Sequence, residues 1–315
     1  MLQPKDCIEL IIIDDGSTDD TSLLCNKYRD KIRYFRTDNL GTGHARNFGL
    51  EQAKGTWIMY LDADDLYLLD SLNEEFINCL SNYEQQDVDI VFTPCSYTDI
   101  HLNQWIKTEN TEEQFDVISK YTFWNGIYRH AFLLKNDIRF YEYKEQDIES
   151  AFRYLTCTNA QKTVANNEMK FYLQRENNWG NTHTWDLKKV SEIKTLVYYD
   201  LFKNHANSVK NRDWLLKELL NAITFYFMAV YQNGFGDKGK YIQVCNIVKE
   251  CLFTNEARRI LGKKQYIKET IRFIRCRLFA KERIETDQIK TNETYYIDSS
   301  DAIIERLRTI SDFVR

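Results

Sequence analysis

Ile11-Ile12-Ile13-Asp14-Asp15-Gly16-Ser17-Thr18-Asp19 and Tyr60-Leu61-Asp62-Ala63-Asp64-Asp65 are the two stretches on which the fold turns. Each is an apolar run that ends abruptly in carboxylates. Such a run reads as a strand buried on both faces. Each acidic cluster then falls where a strand stops and a loop begins. In open α/β sheets the ligand crevice lies at the carboxyl ends of the strands. Carboxylates gathered at such a rim call for a cation. A divalent metal bridging protein carboxylates and a substrate diphosphate meets that need.

Working outward, Cys7 to Ile13 predicts the first strand, and Ser17 with Asp20 gives a Ser-x-x-Asp start for a helix reaching Tyr28. Ile32 to Phe35 predicts a strand, Gly43 to Lys54 a helix stopped by Gly55, and Thr56 to Leu61 the strand that delivers the second cluster. Leu72, Phe76, Cys79, Leu80 and Tyr83 recur at helical spacing, and Val88 to Phe92 is a further β run. This alternation predicts an α/β fold with a mostly parallel, doubly wound sheet flanked by helices. Ile100 to Glu113 is polar and reads as a loop or a β excursion over the site. After Trp185 the β signals stop, and helical patterns run from Val190 to Cys251 and from Ala257 to Lys281. The expected division is 1–185, carrying the acidic clusters, and a helical C-terminal region, 186–315.

The 315 residues can bury an α/β core and still build a second region. A net charge of -5 argues against a nucleic-acid binder. Eight cysteines without a Cys-x-x-Cys pair or zinc-type spacing fit a reducing, cytoplasmic setting. The N-terminus does not read as a signal peptide. Leu215 to Tyr231 is apolar but carries Lys217, Glu218 and Asn221, so it predicts a buried helix and not a membrane span.

Between the clusters lies Asn39-Leu40-Gly41-Thr42-Gly43-His44-Ala45-Arg46-Asn47-Phe48-Gly49. Asp-Asp-Gly-Ser-Thr-Asp, this glycine-loop stretch and Asp-Ala-Asp-Asp, in that order, closely resemble the nucleotide-sugar domain of glycosyltransferase family 2. The resemblance runs from about Asp6 to about Thr184. It implies the GT-A fold, a Rossmann-like arrangement, and sugar transfer with inversion. It also implies a divalent metal (Mn²⁺ or Mg²⁺), a nucleotide-sugar donor such as a UDP-sugar, and a saccharide or polyprenyl-linked acceptor of bacterial surface polysaccharide synthesis. The family opens with a further strand and loop, so the resemblance also raises the expectation of a missing N-terminal segment. The rival function is therefore an inactive remnant with a binding or assembly role.

Residue roles follow from the same resemblance. Asp15 matches the carboxylate that hydrogen-bonds the nucleobase, while Asp14 holds the ribose or orients the loop. Helix capping is the alternative for this cluster. Asp64 matches the metal ligand, with Asp62 on ribose or on the metal shell and Asp65 as an outer partner; the alternative is a turn and helix cap. Arg46 either reaches the diphosphate or pairs with an aspartate of the strand tips. Asn47 and Gly49 are expected to pack helix on strand, and His44 to lie at the surface. Asp147 matches the general base, with Gln146 where the family has Glu, and Glu145 and Glu149 as rival carboxylates. An acidic helix start explains the same residues structurally. Arg175 is expected to steady the leaving diphosphate, and His183 matches a histidine that ligates the metal in some relatives.

Between Arg258 and Arg283 lie ten Lys/Arg and only Glu269 and Glu282 as acids, with Ile267, Ile271, Ile274 and Leu278 at helical spacing. Two readings stay open: peripheral contact with an anionic membrane at its inner face, or a core-packed helix with a solvated charged face.

Overall fold

Ile11–Asp14 form strand β1, which pairs in parallel with β2 (Arg33–Arg36) in the register Ile11↔Arg33 to Asp14↔Arg36. The computed structural model describes residues 7–98, 105–109, 123–144, 149–175, 186–206, 208–233 and 237–288. The chain divides into two units, Met1–Thr184 and Trp185–Arg315.

Between β1 and β2 lies α1 (Thr21–Asn26), and α2 (Thr42–Gln52) follows β2. Next come β3 (Trp57–Met59), β4 (Leu66–Tyr67), α3 (Glu74–Gln85), β5 (Ile90–Phe92), β6 (Cys95–Thr98) and β7 (Trp105–Glu109). The unit continues through β8 (Gly126–Arg129), α4 (His130–Lys135), α5 (Glu149–Asn159), β9 (Thr163–Ala165) and β10 (Tyr172–Arg175). Besides the β1–β2 pair there are two four-stranded sheets, ordered β3-β8-β5-β9 and β4-β10-β6-β7.

The α/β class and the helical C-terminal region stand as the sequence predicts. The strand directions are more mixed. Parallel ladders join β1–β2, β5–β9 and β6–β10, while β3–β8, β5–β8, β4–β10 and β6–β7 are antiparallel. β8 enters reversed between β3 and β5, and β7 answers β6 in the manner of a hairpin. Neither belongs to a strand–helix–strand repeat, so the alternation could not announce them. The polar stretch after Ile100 contains β7. β1 also differs from expectation: Ile11, Ile12 and Ile13 are half-buried, not enclosed on both faces.

The predicted Ser17 start signal does not cap α1. Its N-cap is Asp20, without a side-chain bond, so the helix starts past the Ser17 signal. The Ser17 N–H donates to Asp14 at 2.7 Å and gives that buried carboxylate one of the donors it needs.

The core of the first unit is aromatic beneath the second acidic cluster. Tyr60 meets the rings of Phe123, Phe140 and Phe152 edge-on at centroid distances of 5.8, 5.3 and 5.7 Å, and Phe140 stacks on Phe152 at 4.0 Å. Such pairs add about 0.5–1.5 kcal/mol each beyond area burial. They fix the end of β3 two residues before Asp62.

In the second unit, α6 (Leu187–Asn204) is capped by Asp186, which accepts from the Lys188 and Lys189 N–H groups. It is followed by α7 (Val209–Asn233), α8 (Lys238–Leu252) and α9 (Asn255–Gln288). Leu215, Leu216, Leu219, Leu220, Tyr226 and Phe227 of α7 are buried while Lys217 and Asn221 are exposed, as a buried helix requires. Among the described residues no helix is long and apolar enough to cross a membrane.

Candidate active site

The first acidic cluster is held by donors from its own neighbourhood. Asp14 closes β1 and is 3 % exposed; it accepts from the Ser17 N–H, the Tyr34 hydroxyl at 2.6 Å and Arg36 Nη1 at 2.7 Å. Burial alone would raise its pKa, but those hydrogen bonds and the Arg36 charge outweigh it and hold the carboxyl down at about 2. Of the two roles expected for Asp14, the geometry is that of a loop-orienting group. A depressed native pKa stabilises the fold above the ordinary carboxylate range, and that contribution is lost as pH falls from about 4 through 2. Asp14→Asn is therefore expected to cost about 2 kcal/mol at pH 7 and almost nothing near pH 2. Urea unfolding of the two proteins at both pH values measures the difference.

Asp15 accepts from Thr37 Oγ1 at 2.8 Å and from the N–H groups of Leu40 and Gly41 at 2.8 and 2.7 Å. These bonds outweigh burial and lower its pKa. A carboxylate has about four acceptor sites. With three in use, half-buried Asp15 retains capacity for one donor N–H.

The glycine loop packs where no side chain would fit. A Cβ on Gly41 (φ +102°) would lie 2.8 Å from Lys144 Cα, and one on Gly43 would lie 2.4 Å from the Tyr141 carbonyl oxygen. The loop is therefore seated against residues 141–144, the segment that leads into α5. Asn47 fastens the same contact. Its Nδ2 donates to the Phe140 carbonyl at 2.9 Å and Glu142 Oε1 at 2.8 Å, and its Oδ1 accepts from the Phe140 N–H at 2.8 Å. His44 Nδ1 lies 3.0 Å from the other Glu142 oxygen. Asn47 thus ties helix to segment, where the sequence suggests helix on strand. Half-buried His44 takes part in that clamp.

At the end of β3, Arg46 Nη2 donates to Asp62 Oδ1 at 2.7 Å and lies 3.7 Å from Glu149 Oε1. Its guanidinium sits 4.1 Å above the Phe123 ring and 5.2 Å from that of Phe140. Of the two open roles for Arg46, the structure displays the pairing with a strand-tip aspartate. Glu149 opens α5. Although 39 % of its side chain is accessible, surrounding protein pushes its carboxyl up to about 7, against Arg46 and with help from Asp62 and Asp65. Its proximity to Asp62 joins residues 87 positions apart in sequence, which spacing alone cannot reveal.

Asp65 is buried and accepts from the Tyr172 hydroxyl at 2.6 Å and the Arg175 N–H at 3.0 Å. Burial pushes it up to about 6, with Asp64 and Asp62 adding to the rise. Its N–H closes a turn on the Asp62 carbonyl at 3.0 Å, as the alternative reading has it, but no helix cap uses its side chain: α3 is capped by Asn73. Arg175 Nε donates to the Asp64 carbonyl, and β10 delivers this arginine beside the second cluster by pairing with β4 and β6. Asp64 itself is exposed at the loop tip and Asp62 is half-buried. Among the described residues no three His, Cys, Asp or Glu gather into a metal cage. Two hard carboxylate donors nevertheless fit Mg²⁺ or Mn²⁺ where substrate phosphates and waters supply the remaining ligands. The Asp147 and His183 assignments lie outside the described residues, as does Glu145.

Comparison with known proteins matches this arrangement. Residues 2–158 match the model of glycosyl transferase family 2. An uncharacterized glycosyltransferase of Haemophilus influenzae is 37% identical over 118 residues, covering 36% of this chain and 44% of that protein. One of Rickettsia typhi is 40% identical over 90 residues, covering 29% of this chain and 27% of that protein. The poly(ribitol-phosphate) beta-N-acetylglucosaminyltransferase TarS of Staphylococcus aureus is 23% identical over 248 residues, covering 75% of this chain and 42% of TarS. The chain spans under half the length of these relatives. The structure of TarS 1–349 in complex with UDP-GlcNAc aligns with a TM-score of 0.59 at 18% identity, over 94% of this chain and 86% of that one. That likeness places the fold in the GT-A class. With the family-model match and the ordered acidic and glycine-loop motifs, it gives one conclusion: the chain belongs to glycosyltransferase family 2.

Proposed function

We propose that the chain is an inverting, metal-dependent glycosyltransferase that takes its sugar from a nucleoside-diphosphate sugar, with a UDP-sugar as donor. The observation that carries this is the Arg46 bridge. It joins Asp62, at the end of β3, to Glu149 at the start of α5, two residues after Asp147. That bridge supports reading the Asp62 loop and the start of α5 as parts of one site. Support for the donor comes from TarS, whose solved structures include complexes with UDP-GlcNAc and with UDP. The proposed acceptor is a saccharide or a polyprenyl-linked saccharide of bacterial surface polysaccharide synthesis.

In the proposed reaction the acceptor hydroxyl attacks the anomeric carbon from the face opposite the diphosphate, and the bond to the diphosphate breaks with its electron pair. Asp147 accepts the hydroxyl proton. Asp15 takes an N–H of the base through its remaining acceptor site. Arg175, held by Asp64 through Nε, turns its Nη groups toward the leaving phosphates, where developing charge makes them most effective. Asp64 and Asp62 would hold the divalent cation, which neutralises the diphosphate. Asp14, Asn47 and Arg46 keep loop, helix and α5 in register, since misplacement by about 1 Å can cost about 10²-fold.

Thermal unfolding with a panel of nucleotide sugars, with and without Mn²⁺, tests the donor. A UDP-sugar at about 100 times its Kd stabilises by about 2.7 kcal/mol, so a clear rise in Tm is expected, larger with the cation than without it. No shift with any nucleotide sugar would overturn the proposal.

A further inference from the structure

The basic tail helix resolves differently from either sequence expectation taken whole. The apolar side of α9 is committed to its own unit. Ala257, Tyr266, Phe273 and Ile274 are buried, and Phe273 meets the Phe227 ring of α7 at 5.4 Å. These side chains cannot insert among lipid chains while the unit is folded. Arg272 is also used internally, donating to both oxygens of Glu269 at 3.1 Å. What remains outside is charge. Arg258, Arg259, Lys263, Lys264, Lys268 and Arg275 are exposed, and from Ala257 to Arg275 the one acid, Glu269, is buried. After the break at Gly262 (φ 69°, ψ 161°), Lys264, Lys268 and Arg275 fall at i, i+4 and i+11. At about 100° per residue these share one stripe of the helix, roughly 16 Å long. None of the three makes a hydrogen bond or ion pair among the described residues.

We propose that this stripe is a docking surface for an anionic lipid bilayer, bound through headgroup phosphates and without insertion. Lys264 and Lys268 are like charges at i and i+4, which repel each other, and neither makes an ion pair among the described residues to offset that. A convex helix face suits a flat array of phosphates. A single polyanionic thread would need walls on either side of the helix to hold it. Contact of this kind rests on counter-charge alone, at a strength that salt screens within about 8–10 Å. The proposal is independent of transfer, because neither donor nor acceptor enters it.

Co-sedimentation of the full chain with vesicles of phosphatidylcholine alone, or with phosphatidylglycerol at three parts in ten, tests it. Binding is expected only to the anionic vesicles at 50 mM salt and is expected to vanish at 500 mM. Lys264→Glu, Lys268→Glu and Arg275→Glu together should weaken it by on the order of 10²-fold. The milder Gln versions, which keep helix propensity, should weaken it at least tenfold. The control Lys27→Glu, Arg29→Glu, Lys31→Glu makes the same change in net charge on an exposed part of the first unit and should leave most of the binding. Equal loss in that control, unchanged binding in the Gln variant, or no binding at low salt would each overturn the proposal. So would retention of soluble inorganic polyphosphate, but not of vesicles, by the stripe.

Discussion

Asp147→Asn is expected to lower sugar transfer by on the order of 10³-fold while leaving donor binding almost unchanged. The substitution keeps size and hydrogen-bonding shape but removes the one property a base needs. Glu149 provides the internal comparison, because it stands two residues further on, at the start of α5, and its carboxyl is pushed up to about 7. That is a suitable value for a base near neutral pH. Its position differs in kind, since Arg46 stands between it and Asp62. Glu149→Gln is therefore expected to loosen the Arg46 bridge and reduce transfer by about tenfold, with kcat and KM both moving. Steady-state kinetics of both variants across pH 5–9 decide the matter. If Asp147→Asn stays within tenfold of the parent while Glu149→Gln loses the activity and an inflection near pH 7, the base is Glu149 and the assignment of Asp147 falls.

The same pair marks the limit of what the sequence carried. The acidic clusters were legible because each is local: an apolar run, then carboxylates, on an element of predictable type. Strand and helix existence followed for the same reason, with β1 shifted and shortened to Ile11–Asp14 and α2 running Thr42–Gln52 against the predicted Gly43–Lys54. The partners of those carboxylates were not legible. Tyr172 finds Asp65 across 107 positions, and Asn47 finds Phe140 across 93. Both contacts depend on how reversed and parallel strands are interleaved, and no local period encodes that order.

Ser17 illustrates a different failure. Its signal obeys a local rule, yet α1 starts only at Thr21 with Asp20 at the N-cap, and the Ser17 N–H serves the buried Asp14 carboxylate three residues upstream. A buried carboxylate left without donors costs several kcal/mol, against about 1 for a lost cap, so the loop conformation that serves Asp14 prevails over one that would cap at Ser17. The glycine loop shows the converse. Gly41 and Gly43 were quoted for their motif, and their physical reason is the backbone of residues 141–144 lying where a Cβ would be.

Asp64→Ala is expected to abolish metal-dependent transfer, by about 10³-fold or more, with little change in stability. Charge developing on a leaving diphosphate needs a fixed counter-charge, and removing one such stabiliser typically costs about 10²–10³-fold. Losing the ligand loses the cation as well. Asp64 is suited to this test because its side chain is exposed and Arg175 grips its main-chain carbonyl, a contact that alanine keeps. The folded state should then lose less than about 1 kcal/mol. Asp62→Ala would be harder to interpret, because it also strips Arg46 of a carboxylate it donates to at 2.7 Å. The decisive readout has two parts. Transfer assayed with Mn²⁺ should collapse in Asp64→Ala, and the extra Tm shift that Mn²⁺ adds to a bound UDP-sugar should collapse with it, while the shift from nucleotide alone persists. Transfer that survives Asp64→Ala in Mn²⁺, or a parent enzyme indifferent to EDTA, would remove the cation from the reaction and leave Arg175 as the neutralising charge.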